Sequence, residues 1–232
     1  MNKISAGANF LDLFLGGGYD SDVVTTIFGP SGSGKTNLCL LAAVEEASKG
    51  KKIIFVDTEG GIAVERIRQL CGDDEKKVNE VLEKTLFFNP LNFDEQKGVF
   101  DQLKEMIKEM TNSQIGLIIV DSISMLYRLE LGKSEEVYDL NAALGRQLAF
   151  LVEIARRKHI PVLLTNQVYS DFDNRDQVKM VGGDLLKYGS KCLLELQKMK
   201  NGRLLILRKH RALAEGLETR FKIVQNGVEE LI

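Results

Sequence analysis

The sequence predicts an α/β protein with a mostly parallel central sheet, flanking helices and antiparallel hairpins at the C-terminal end. Three observations predict it. Short apolar, β-branched runs alternate with helix-spaced apolar positions through the first 170 residues. Several of those runs are apolar at consecutive positions, which is the pattern of strands covered on both faces. After residue 189 the style changes to paired strand patterns around Asn201-Gly202 and Asn226-Gly227, and Asn-Gly is a strong hairpin signal because both residues tolerate positive φ.

The candidate strands are 23–28 (VVTTIF), 52–57 (KIIFVD), 85–88 (TLFF), 115–121 (IGLIIVD) and 161–167 (PVLLTNQ). One helix is expected to open near residue 35 and run to about Gly50. A second follows a capping box at Asn92 and Glu95, with Phe100, Leu103, Ile107 and Met110 on one face. A third carries Leu140, Leu144, Leu148, Leu151 and Ala155 at the same spacing. Strand and helix alternating in this way imply right-handed crossovers and a parallel sheet. The segments KCLLELQKMK, RLLILRKH, RFKIVQ and VEELI then extend that sheet as an antiparallel meander. No linker-like or repeated stretch separates these regions, so residues 1–232 are expected to form a single core domain.

With 232 residues and 44% hydrophobic content the chain can bury a substantial core. No apolar run approaches the roughly 18 residues of a membrane span, and the start, MNKISAGANF, lacks the apolar centre of a signal peptide; a cytoplasmic protein is expected. Cys39, Cys71 and Cys192 are odd in number and widely spaced, which argues for reduced thiols. Two histidines and no Cys-x-x-Cys argue against a zinc site. The formal net charge of −2 conceals an asymmetry: residues 187–211 hold eight Lys or Arg against Glu195 alone, while the remainder is acidic. A polyanion would therefore meet a local patch and not a global basic field.

The sharpest motif is GPSGSGKT, residues 29–36, which fits G-x-x-x-x-G-K-[ST] between a strand and a helix. Gly29, Pro30, Ser31, Gly32, Ser33 and Gly34 form a loop whose amides can converge on a polyphosphate at a helix N-terminus. Lys35 supplies a point charge to the outer phosphates, and the Thr36 hydroxyl can ligate Mg²⁺. A second acid near that metal is expected at the end of a buried strand, and LIIVDS presents Asp121 there, positioned to hold Mg²⁺ through water. In FVDTEGG (55–61), Glu59 lies just past the C-terminal end of a strand, the edge where ligands bind in open α/β sheets. It could serve as base or orienting group for a water attacking the γ-phosphate, or simply be a loop or helix-capping acid.

Together GPSGSGKT, FVDTEGGIAVERI, LIIVDSISMLYRLE and VLLTNQV stand in the order and spacing of the RecA/RadA recombinase ATPase core. The chain resembles that family over essentially its whole length, and most closely its archaeal members that consist of the core alone. The resemblance implies ATP and Mg²⁺ as cofactors, Glu59 as the catalytic glutamate with Lys35 and Gln167 beside it, and Arg66 packed on the adenine. It also implies that Gln167 senses the γ-phosphate and relays its presence to DNA-binding loops. These loops correspond to RLELGKSEE (128–136), with Arg128 and Lys133, and VYSDFDNRDQVKMVGG (168–183), with Tyr169, Phe172, Arg175 and Lys179. Aromatics in such a loop can stack single-stranded bases, though acidic neighbours in both loops limit phosphate affinity. Relative to the family, a protein without the N-terminal helical domain is expected, and no Phe-x-x-Ala subunit-bridging segment occurs in this sequence.

LRKHR (207–211) places Arg208, Lys209, His210 and Arg211 side by side. Three roles are open for it: a charged strand edge that discourages pairing, a nucleic-acid contact, or a pair, Lys209 and Arg211, reaching a neighbouring subunit's γ-phosphate as the resemblance to RecA implies. Strand alternation would put Lys209 and Arg211 on one face and Arg208 and His210 on the other.

The expected function is an ATP·Mg²⁺- and single-stranded-DNA-binding protein of homologous recombination and repair. It would act as accessory to a RadA-type recombinase, with slow hydrolysis, other DNA-repair proteins among its candidate partners, weak homo-oligomerisation and no membrane partner. An autonomous filament-forming strand-exchange enzyme and an ATPase acting on protein partners are the alternatives.

Overall fold

A computed structural model describes residues 2–109, 114–131, 137–170 and 178–231, with backbone alone at 169–170 and 178–179. The first stretch contains β1 (Lys3–Ile4), α1 (Asn9–Phe14), β2 (Tyr19–Asp20), β3 (Val24–Phe28), α2 (Lys35–Ser48), β4 (Lys52–Asp57), α3 (Val64–Leu70), α4 (Glu75–Lys84), β5 (Thr85–Phe88) and α5 (Phe93–Glu109). There follow β6 (Ile115–Asp121), α6 (Met125–Leu131), α7 (Val137–Lys158), β7 (Val162–Asn166), β8 (Val168–Ser170), β9 (Val178–Met180) and α8 (Gly183–Gly189). The C-terminal strands are β10 (Cys192–Met199), β11 (Gly202–Lys209), β12 (Glu218–Val224) and β13 (Gly227–Glu230).

Nine strands form one sheet in the order β13-β12-β11-β10-β3-β7-β6-β4-β5. From β10 to β5 the pairs are parallel, and from β10 to β13 they are antiparallel. The five strands predicted for the parallel part lie where the apolar runs placed them. β3, β6 and β7 are buried at every residue, because helices cover both faces.

The period-2 alternation of a strand divides the core in two. Ile53, Phe55, Leu117 and Ile119 point into one apolar cluster with Leu38, Ala42 and Ile67 of α2 and α3. Ile54, Val56, Ile118 and Val120 point into the other with Phe100, Leu103, Leu144 and Leu151 of α5 and α7. The expected Asn92–Glu95 cap forms in a shifted version of the capping box: Asn92 Oδ1 accepts from the Glu95 amide at 2.9 Å, and the Glu95 carboxylate accepts from the Leu91 amide, one residue before the N-cap, at 2.8 Å. Cys39, Cys71 and Cys192 are free and buried, and burial pushes the Cys192 thiol up to about 12. Among the described residues no helix is long and apolar enough to cross a membrane.

The C-terminal meander exists, but its glycines work differently from the expectation. Met199 pairs with Gly202 and Val224 with Gly227, so the two-residue turns are 200–201 and 225–226 and each glycine is already a strand residue. A Cβ on Gly202 would lie 2.7 Å from the Phe221 carbonyl oxygen and 2.6 Å from Leu231 Cδ1. Close approach of neighbouring chain, and not turn geometry, demands glycine there.

Candidate functional site

Four neighbouring strands, β3, β7, β6 and β4, end at one edge of the sheet and deliver the residues singled out by the motifs. After β3 the loop 29–34 turns back and opens α2, whose N-cap Gly34 is left-handed at φ 104°. A Cβ on Gly34 would lie 2.9 Å from Ile223 Cδ1, which the isoleucine tip could yield, so the left-handed backbone is what favours glycine here. Lys35 is 6% exposed. Its ammonium donates to the Gly29 and Pro30 carbonyls at 3.0 and 3.1 Å. Burial lowers its pKa, opposed by the charges of Glu59 and Asp121. Ser33 Oγ is fully buried with no hydrogen-bond partner, a donor held ready inside the loop.

Asp121 ends β6 at 2% exposure. Its Oδ2 accepts from Thr36 Oγ1 at 2.6 Å and its Oδ1 from Thr165 Oγ1 of β7. Burial raises its pKa, the two hydroxyl donors lower it, and the nearby Glu59 and Asp57 charges raise it again. The Thr36 hydroxyl and Asp121 carboxylate thus sit side by side at the mouth of the phosphate loop. Among the described residues no group of three or more His, Cys, Asp or Glu could hold a metal by itself. That donor set suits Mg²⁺, which takes one or two protein oxygens and completes its shell with water and phosphate.

Glu59 is exposed on the loop after β4, and Asp57 builds that loop. Asp57, 4% exposed, accepts through Oδ1 from the amides of Glu59, Gly60 and Gly61 at 3.1, 2.8 and 3.3 Å, and through Oδ2 from Ile62 at 3.2 Å. The Thr58 amide donates to the Asp121 carbonyl at 2.8 Å, and Thr58 Oγ1 to the Ser122 carbonyl at 2.8 Å. The loop bearing Glu59 is therefore locked to the strand bearing Asp121. Asp57 was not among the motif residues; the Asp before Glu-Gly-Gly is an Asx-turn signal that could have found it.

Gln167 follows β7 and its Nε2 donates to Glu59 Oε1 at 3.0 Å. Its carbonyl accepts from the Val181 amide at 3.2 Å, and Asn166 Nδ2 donates to the Val181 carbonyl at 2.7 Å. Val181 follows β9, which pairs with β8, so the segment expected to bind DNA is rooted beside Gln167. Lys133 and Arg175 lie outside the described residues, as do the side chains of Tyr169 and Lys179. Arg128 is exposed in the last turn of α6.

Arg66 sits on α3, but its donors are already taken. Its guanidinium donates to Asn37 Oδ1, to Gln69 Oε1 and to the carbonyls of Val224, Gln225 and Gly227 at 2.7–3.2 Å. It staples the β12–β13 turn to the start of α2, and any contact with a base is left to the face of the guanidinium.

The basic run 207–211 departs most from expectation. β11 ends at Lys209, because His210 Nδ1 accepts from the Ala212 and Leu213 amides, both at 3.1 Å, and turns the chain. The two-face alternation therefore fails beyond Lys209. Arg208 pairs with Glu195 at 2.5 Å. Lys209 Nζ donates to the carbonyls of Lys187 and Ser190 at 2.6 and 2.8 Å, closing the end of α8. The His210 side chain is 5% exposed, and Arg211 forks onto Asp22 and reaches Asp20 at 3.1 Å. All four groups have partners within the chain, and the imidazole is buried. Two surface clefts among the described residues, of about 650 Å³ beside Val24, Arg156 and Tyr188 and about 480 Å³ beside Arg157, lie toward the opposite end of the sheet from the phosphate loop.

This geometry is matched by sequence comparison, in which the Rad51 family profile aligns with residues 1–231. The chain belongs to the Rad51 family. Among Rad51-family relatives, the DNA repair and recombination protein RadB of Methanobrevibacter smithii is 41% identical over 222 residues, covering 94% of this chain and 92% of that protein. RadB of Methanococcoides burtonii is 41% identical over 219 residues, covering 94% and 93%. A crystal structure of the RadB recombinase superposes with a TM-score of 0.81 at 36% identity, covering 99% of this chain and all of that one. The Rad51-family assignment agrees with the RecA/RadA resemblance seen in the motifs.

Proposed function

We propose that this protein binds ATP·Mg²⁺ and single-stranded DNA, hydrolyses ATP slowly, and acts in homologous recombination and repair as an accessory to a RadA-type recombinase. The observation that carries the nucleotide part is the convergence of Thr36 on Asp121 and of Gln167 on Glu59 at one sheet edge. The names of the RadB relatives support the setting in repair and recombination.

In the proposed mechanism, the amides of the loop 29–34 and the Lys35 ammonium hold the phosphates. Thr36 and Asp121 would hold Mg²⁺, which would supply charge neutralisation at the outer phosphates. Glu59 orients the attacking water and takes its proton. Lys35 leaves the Gly29 and Pro30 carbonyls to reach the outer phosphates. Slow turnover follows from Lys209 and Arg211, whose pairing within the chain leaves neither poised as a cation for a neighbour's nucleotide. The residues 1–232 act as one core unit in this reading.

The test is single-stranded DNA binding with and without ATP across a salt series, with particle size monitored. The expected result is ATP-enhanced binding whose logarithm falls with log salt, without growth into filaments. A slope near zero would overturn the DNA assignment, and ATP-dependent filaments that pair homologous strands would overturn the accessory role.

A further inference from the structure

Outside the motif residues, cations of the C-terminal meander reach the phosphate loop. Arg203, on β11, donates from Nε to the Ser33 carbonyl at 3.1 Å and from Nη2 to the Gly32 carbonyl at 3.2 Å. Its Nη1 is held by the Gly202 carbonyl at 2.9 Å. Directly opposite Arg203 across the β10–β11 pair stands Lys198, whose Nζ lies 3.2 Å from the point a Gly32 Cβ would occupy. Its charge contributes to lowering the Lys35 pKa.

Two like charges placed opposite each other destabilise a strand pair. Here they face each other beside a loop built for anions. A peptide's carbonyl and the next residue's amide point to opposite sides, so a fork that holds the Ser33 carbonyl outward turns the Gly34 amide inward, toward the phosphates, while the Ser33 amide donates to the Pro30 carbonyl at 3.2 Å within the loop. We propose that Arg203 is a positioning residue of the nucleotide site. It pre-sets the phosphate loop by gripping two of its carbonyls, and adds positive potential with Lys198. This inference rests on the ATP-binding reading above and extends it to a residue far from the motif in sequence.

The rigid planar fork matters, since an ammonium can donate twice but does not fix two bonds in one plane with so little loss of freedom. Equilibrium binding of ATP, ADP and adenosine to the full chain and to Arg203→Ala and Arg203→Lys tests it, with thermal melts of the ligand-free proteins alongside. The expected result is that Arg203→Ala weakens ATP and ADP about ten- to a hundred-fold while leaving adenosine affinity within about two-fold. Arg203→Lys should recover part of the loss. Equal loss for adenosine, or ATP affinity unchanged in Arg203→Ala, overturns the positioning role while the ATP reading stands. Absence of ATP binding in the unaltered chain overturns both. If Arg203→Ala melts too low to assay, Arg203→Lys alone decides, by showing or not showing a phosphate-dependent loss.

Discussion

Gln167 Nε2 and Glu59 Oε1 are hydrogen-bonded at 3.0 Å although 108 positions separate them in the chain. One terminates β7 and the other follows β4, with β6 and Asp121 between. The bond makes the proposed water-activating carboxylate and the proposed phosphate sensor a single unit, and the next backbone contact of Gln167, with Val181, leads into β9.

Glu59→Gln should reduce ATP turnover by about a hundred-fold or more, the range for removing a general base, with ATP affinity retained. Gln167→Ala frees the Glu59 carboxylate and should instead remove the ATP enhancement of DNA binding. Turnover assays paired with DNA titrations check both; equal effects of the two variants on both readouts would sink the division of labour.

Asp57→Ala removes the acceptor for four backbone amides on the Glu59 loop. A buried group left unsatisfied costs roughly 1–3 kcal/mol. A lower denaturation midpoint is expected, together with lost turnover and preserved nucleotide affinity, since the phosphate loop does not contact Asp57. Denaturant titration and ATPase assays read the two effects separately.

Asp121 illustrates a site held at a stability cost. Its folded pKa is raised, chiefly by burial, so the folded state binds the proton more tightly than the unfolded chain. Stability from this group is therefore highest below the unfolded pKa and falls as pH rises through the folded one. Asp121→Asn should raise the melting temperature at pH 7–8, and much less near pH 4, while losing Mg²⁺-dependent nucleotide binding. Melts across pH with and without Mg²⁺ check it.

His210 should produce the opposite slope. Burial lowers its pKa despite the attraction of Asp20, and Lys3 and Arg211 push the same way as burial. Its Nδ1 must stay unprotonated to accept the Ala212 and Leu213 amides. The unfolded chain binds the proton more readily, so stability is full above the unfolded pKa of about 6.5 and is lost as pH falls toward the folded one. His210→Asn should flatten the melting curve against pH between about 7 and 5.

Arg211→Ala leaves buried Asp20 and half-buried Asp22 without their guanidinium. A destabilisation of about 1–3 kcal/mol is expected, with DNA affinity and its salt slope unchanged. A reduced slope would return this arginine to the DNA-contacting set.

Much of this was readable because it is local. Apolar runs of four to seven residues, rich in β-branched and aromatic side chains, marked strands, and β4, β5 and β6 begin and end where the runs do. The phosphate loop is a contiguous motif, and Asp121 and Glu59 follow strands whose ends must meet at the ligand edge of a parallel sheet. The hairpins were legible, but not their centres, because a glycine demanded by the Phe221 carbonyl looks the same in sequence as one demanded by a turn. Arg203 left no signal at all.

The sequence by itself determined the class of fold, the phosphate loop and the two carboxylates beside it, since each follows from composition and spacing within a few neighbouring residues. Only the tertiary structure decided which partners within the chain the charges have. A run of cations carries no record of its counter-ions, and Asp20, Asp22 and Glu195 reach LRKHR across the fold. Electrostatic partners are chosen by distance in space, so Arg208 and Arg211 became internal pairs while Arg203, unremarked in the chain, came to lie against the phosphate loop.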